Sequence, residues 1–206
     1  MKLSAITGLI AMVGLVTVAL AEPETTHPTD EGSPKQALKA QDAAAQAGNV
    51  DADLGFYKAD DDQQKKLARI IAEGDVALAK LQKTVSEKFG TDSASAVVRA
   101  AGSEDVRAVE AASEKVDGDR ATVAFEGGSQ TVPMVRDEGR WKISLADWLK
   151  GASASQVDQL FQSLQKLTAE VVRVTDLVSH DKFRSGEGVR DRVQRLHDSL
   201  FGSQGH

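Results

Sequence analysis

The chain contains no cysteine. That excludes disulfides, thiolate catalysis and cysteine-based metal sites, and an exported form must rely on packing alone. It also excludes a bacterial lipid anchor, which needs a cysteine directly after the cleavage site. Asparagine occurs once, at Asn49, and Val50-Asp51 follows it, so no N-glycosylation acceptor exists. Tyrosine also occurs once, at Tyr57. The net charge is modestly negative, at -6, with acids and bases mixed along the chain. No basic stripe runs beside aromatic residues, so nucleic acid is not an expected partner.

What is present begins with the first twenty-one residues. Lys2 gives a short basic start, an apolar run follows from Leu3 to Val18, and Ala19-Leu20-Ala21 offers a small-x-small cleavage pattern before Glu22. That order predicts a secretory signal peptide over 1–21 and a secreted or periplasmic protein with no membrane contact after cleavage. The run is marginal for a bilayer span of about 20 residues, so an uncleaved anchor is the alternative. Residues 22–33 are rich in Pro, Thr, Glu and Asp without apolar periodicity and read as a disordered tether. The remainder is long enough for one core with an appendage, at ~100–200 residues per domain.

Ser33-Pro34 marks a helix start, with an Ala-rich helix expected over 34–47 and a stop at Gly48. A short second helix is expected over 50–57, with Asp51 and Asp53 near its positive end. Asp60-Asp61-Asp62 opens a third helix and complements its dipole; the spacing of a calcium loop is absent. The third helix carries Leu67, Ile70, Ile71, Leu78, Leu81, Val85 and Phe89 on one stripe. Gly74 within it costs up to ~1 kcal/mol against Ala, which a kink or a close helix crossing would explain. A shorter helical turn is expected over 94–101.

The period then changes to two. Strands are expected over 109–116, 120–126, 130–136 and 140–146, separated by Asp117-Gly118-Asp119, Gly127-Gly128 and Asp137-Glu138-Gly139. Pro133 implies an edge strand or a bulge. Short turns demand antiparallel neighbours, giving a meander of about four strands after about four helices. Beyond Gly151, Val157, Leu160, Leu164, Leu167, Val171, Val174 and Val178 fall at steps of three and four, a coiled-coil-like seam. Val189, Val193, Leu196 and Leu200 repeat those steps. The tail, 151–206, is therefore expected to be a helical hairpin, loose at its last few residues.

Helices first, then Val116-Asp117-Gly118-Asp119-Arg120-Ala121-Thr122-Val123, then Gly139-Arg140-Trp141-Lys142-Ile143: this pattern resembles the NTF2-like (SnoaL-like) superfamily, in its small secreted bacterial branch of uncharacterised proteins. The resemblance covers 34–148 and not the tail. It implies an α+β cone, with a curved antiparallel sheet wrapped around long helices and often an apolar pocket in the concavity. Relatives include enzymes, binding modules and dimerisation modules, so fold does not supply function.

The enzymes among such relatives use a pocket Asp, Tyr or His-Asp pair. His27 lies in the tether, His206 at the end, and His180 and His197 in the tail, so a histidine acid/base site in the cone is not expected. His180 and His197 are also poorly placed for a shared metal, and neither metal nor cofactor is expected. The pocket candidates are Tyr57, Phe125, Trp141 and Asp147. Tyr57 is read either as a pocket hydrogen-bond donor or as half-buried packing with a wet hydroxyl. Phe125 and Trp141 either line a ligand or fill the core with Ile143 and Leu145. Asp147 is either a general base at the cone mouth or a turn or cap residue. Arg173, Arg184, Arg190, Arg192 and Arg195, interleaved with acids, read as a solvated face.

The expected function is an exported, non-enzymatic binding or protein-interaction protein. Its expected partners are a small apolar ligand in the cone, or a protein or second copy contacting the 155–201 helices. The alternatives are a pocket isomerase or hydrolyase of small apolar molecules, using Tyr57 with a carboxylate, and a structural module of envelope assembly.

Overall fold

A computed structural model describes residues 32–103, 106–125 and 131–202. The signal-peptide and anchor readings, most of the tether, the Gly127-Gly128 turn, His27, His206 and the last residues lie outside them. The described chain is α+β.

Helix α1 (Pro34–Gln46) starts with a capping box between Ser33 and Gln36 and has Pro34 in its first turn. It ends at Gly48, whose φ of +74° carries the chain through the left-handed region. There Gly48 N–H donates to Ala45 O and Asn49 N–H to Ala44 O, the paired bonds of a Schellman stop. Asn49 then caps α2 (Val50–Leu54) by accepting from Ala52 N–H at 3.0 Å. The second helix is thus shorter than its sequence suggests. Tyr57 leaves it to form strand β1 (Tyr57–Lys58).

Helix α3 (Asp62–Phe89) is capped by Asp61, which accepts from Gln64 N–H at 2.8 Å. It runs for about 42 Å at 1.5 Å per residue. Its buried positions include Leu67, Ile71, Leu78, Leu81 and Val85, the expected stripe. Helices α4 (Thr91–Ala100) and α5 (Val106–Ala111) follow. The strand expected over 109–116 is therefore split. Its first residues end a helix in which Val109 is fully buried, and strand β2 (Ser113–Asp117) begins only after Ala112.

Strands β3 (Arg120–Ala124), β4 (Thr131–Asp137) and β5 (Arg140–Ser144) complete a five-stranded sheet of order β1-β5-β4-β3-β2. The expected antiparallel meander is present from β2 to β5. The sheet as a whole is mixed, because β1 joins it parallel to β5, with Tyr57 opposite Ile143. Pro133 lies in the central strand, which corrects the edge or bulge expected for it. Arg136 N–H bonds back to Asp119 O, so alternation turns the missing N–H of Pro133 toward β5. The β4–β5 pairing begins only at Met134 with Ile143, so no rung is lost. Strand β5 also stops short of its expected length. Ser144 caps a single turn, α6 (Leu145–Trp148), which places Leu145 in the core from a helix.

Ala121, Val123, Val132, Met134, Trp141 and Ile143 form the buried face of the sheet. Helix α1 packs between β3 and β5 on one side and α3 on the other. Helix α7 (Ala154–Ser179) lies chiefly along α3, and α8 (Gly186–Phe201) chiefly along α4, with a smaller contact between α7 and α8. All seven seam residues from Val157 to Val178 are buried within the chain. A Cβ at Gly74 would sit 3.1 Å from Thr168 Oγ1, so the glycine marks a close crossing of α3 and α7. Among the described residues no helix is long and apolar enough to cross a membrane.

Candidate functional site

Four elements converge on one buried polar cluster. Leu38 and Ala45 turn one face of α1 inward, and Gln41 and Asp42 lie between them on that face. The short turn of α2 directs Asp53 inward. Tyr57 enters from β1, and Asp75 from the middle of the apolar stripe of α3. Asp53 is 0% exposed, Asp42 and Asp75 2%, Gln41 5% and Tyr57 7%. Polar side chains buried this deeply normally find partners.

Most of these do. Tyr57 Oη donates to Asp75 Oδ2 at 2.9 Å, and Gln41 Nε2 donates to Tyr57 Oη at 2.5 Å and to Asp75 Oδ2 at 3.1 Å. Gln46 Nε2 donates to Asp42 Oδ2 at 2.9 Å. Asp53 is the exception, since neither carboxylate oxygen has a hydrogen-bond partner. Asp75 Oδ1 is likewise unpaired.

The electrostatics follow from that arrangement. Burial pushes the Asp75 carboxyl well above its ordinary value, and the neighbouring Asp53 charge pushes it further. Burial raises Asp53 to about 7; Asp42 adds to the rise and the nearby Gln41 amide partly offsets it. Burial, then the Asp75 charge, also raises the Tyr57 phenol, so it stays a donor. The cluster can therefore hold protons on carboxylates that would be ionised in water. Tyr57 itself is almost fully covered. A cavity between α3 and α7 touches Asp75 and Thr168 within an otherwise aliphatic lining, but its volume of about 10 Å³ holds roughly one water.

The other sequence candidates lie elsewhere. Phe125 and Trp141 are 5% and 4% exposed and belong to the core, and Arg136 stacks its guanidinium 4.9 Å over the Trp141 ring. Asp147 accepts from Ser144 Oγ at 2.8 Å and from Arg120 Nη1 at 3.1 Å. The Ser144 hydrogen bond, with help from Arg120, holds its carboxyl below the usual range. A carboxylate so held is a cap and an ion-pair partner, and a poor general base. His180 accompanies the last carbonyls of α7, with Nδ1 2.8 Å from Asp176 O, while His197 packs from α8 against Gly102. No group of three or more acidic or histidine side chains is arranged to hold a metal among the described residues.

Tyr57 is thus the one sequence candidate that enters the cluster, and its hydroxyl is bonded rather than wet. The sequence candidates do not include Asp75, Gln41 or Asp42, and sequence pattern gives Asp53 only a place near the helix dipole. A signal existed for Asp75: it stands four residues after Ile71 and three before Leu78, on the apolar face of α3. Gln41 and Asp42 carry the same signal between Leu38 and Ala45. No family model, curated protein or solved structure matches the chain.

Proposed function

We propose that the chain is an exported, non-enzymatic binding or interaction protein on an NTF2-like framework. The observation that carries this reading is that the buried donor and carboxylate are spent on one another. Tyr57 and Asp75 use their facing groups on each other and on Gln41, at no more than 7% exposure. A turnover site must admit a substrate to its acid and base. The helices-first order, the meander and the export signal expected over 1–21 support the framework and the destination. The tail seam is spent on α3, so contact with a partner or a second copy falls to the outer faces of the 155–201 helices.

A second reading keeps the isomerase or hydrolyase alternative, because the Tyr57–Asp75 pair is the kind of facing donor and carboxylate such chemistry uses. One experiment separates the two. The sole tyrosine gives an isolated NMR probe, and 1-anilinonaphthalene-8-sulfonate serves as a small apolar test ligand. Non-enzymatic function through the outer surface predicts no saturable shift of the Tyr57 resonance in the native exported protein. A saturable shift of that resonance, together with dye fluorescence binding that Tyr57→Phe weakens, would favour the pocket reading instead.

A further inference from the structure

We propose that Asp53 is a buried proton-binding site that holds α2 closed over the Tyr57–Asp75 pair, and that loss of its proton releases residues 48–56. Asp53 is fully buried with both oxygens unpaired, and it points into a cluster that already holds Asp42 and Asp75. A carboxylate in that position is tolerated when neutral and strongly disfavoured when charged.

The groups facing it supply no compensating cation. From α1 come Gln41, already donating to Tyr57 and Asp75, and Asp42, itself bonded by Gln46. From α3 comes Asp75, and from β1 the Tyr57 hydroxyl. Arg69 of α3 is the basic group paired with an acid of α2. It lies outside the cluster, 3.6 Å from the exposed Asp51 and 3.6 Å from Glu73. The charges acting on Asp53 and Asp75 are mainly those of the other buried aspartates.

The segment that carries Asp53 is weakly held. Helix α2 is five residues long, and only its half-buried Val50 and Leu54 pack on the core beside Asp53. Its solvent side has the exposed Arg69–Asp51 pair, worth little. Gly48 gives it a left-handed hinge at one end. Phe56 O, bonded by Ile143 N–H at 2.8 Å, pins the other end to β5. Swinging α2 about these points hydrates Asp53 and uncovers Tyr57. Release is therefore linked to the proton: Asp53 titrates at about 7 when closed and near its ordinary 3.8 when hydrated. Opening rises with pH between those values and levels above the higher one.

Hydrogen exchange of residues 48–56 in the full-length exported protein tests this between pH 5 and 8. After correction for intrinsic exchange, protection should fall about tenfold per pH unit up to neutrality and then level. Asp53→Asn should keep 48–56 equally protected across the range, while the exposed-acid control Asp51→Asn should behave as wild type. Protection that does not change between pH 5 and 7, or an Asp53→Asn profile that retains the wild-type slope, would overturn the proposal. If Asp53→Asn does not fold, the wild-type Asp53 side-chain carbonyl, assigned through its own backbone resonances, decides. Titration near neutral supports the site, and titration in the ordinary range near 4 overturns it.

Discussion

The two faces of α3 solve the burial problem in opposite ways. Toward α7 it presents Ile71, Leu78 and their neighbours to Leu164, Leu167 and Val171, a mainly aliphatic interface that Asp75 and Thr168 border at one small cavity. Toward α1 and α2 it presents Asp75 to Tyr57, Gln41 and the unpaired Asp53. The first face is held by apolar burial and by the close approach at Gly74 and Thr168. The second is a specific network in which each group depends on the state of the others. A difference of this kind within one helix separates what holds the fold from what makes it responsive to its surroundings.

The largest effect should come from charging the apolar face. Leu164→Asp with Leu167→Asp removes two buried leucines, each worth roughly 1.5–3 kcal/mol, and inserts two carboxylates without partners. The double variant should lose ~5 kcal/mol or more in urea unfolding, together with much of its native helicity. An unchanged midpoint would mean that the α3–α7 interface does not hold the fold.

A smaller loss is expected in the polar cluster. Tyr57→Phe removes the hydroxyl that donates to Asp75 and accepts from Gln41, which should cost about 1–3 kcal/mol. Urea unfolding of the variant measures that loss, and an unchanged midpoint would contradict the pairing.

The smallest effect sharpens the helix crossing. Gly74→Ala gains helix propensity, up to ~1 kcal/mol, but sets a methyl 3.1 Å from Thr168 Oγ1. Alone it should be nearly neutral. Added to Thr168→Ala, which clears the space, it should stabilise by ~0.5–1 kcal/mol in a double-mutant cycle. Additive behaviour would show that Gly74 is not kept for the close approach.

The same contrast explains what was legible in the sequence. The α7 seam, the α3 stripe and the alternation of β3 to β5 follow from periodicity, because burying aliphatic side chains leaves a regular pattern. Gly74 within the α3 stripe likewise reads as a crossing or a kink. The failures occur where local pattern competes with tertiary demand. Tyr57 sits at the end of a helical run yet pairs with β5, since Phe56 O is claimed by Ile143 N–H across the sheet. Val109 looks like a strand residue but is buried from α5. Pro133 looked like an edge signal, whereas the end of one ladder made a central strand acceptable. The cluster was half legible: Tyr57 stood out by being unique, and Asp75 by interrupting an apolar stripe. That Asp53 is unpaired depends on how α1, α2 and α3 meet, which no spacing within α2 encodes.

Protons held inside the α1–α2–α3 cluster couple folding to pH, and the pH dependence of unfolding tests that coupling most directly. Ordinary surface carboxylates act at lower pH. Asp137 is drawn down to about 2 by Lys142 and Lys58, and Asp147 and Glu170 are also held low, so their stabilisation is present above the ordinary carboxylate range and fades as pH falls through it. His197 is held below its usual value by burial, and it makes stability rise with pH toward about 6.5. Asp53 acts in the opposite sense: its closed-state value lies above its unfolded one, so stability falls as pH rises from about 4 to about 7. The difference between wild type and Asp53→Asn reports Asp53 together with the part of the Asp75 rise that the Asp53 charge causes. Measured by urea unfolding at pH 4.5 to 7.5, the wild type should lose about 1.4 kcal/mol per pH unit relative to the variant, levelling near neutrality. A difference that stays constant over that range, or that grows in favour of the wild type, would contradict the account.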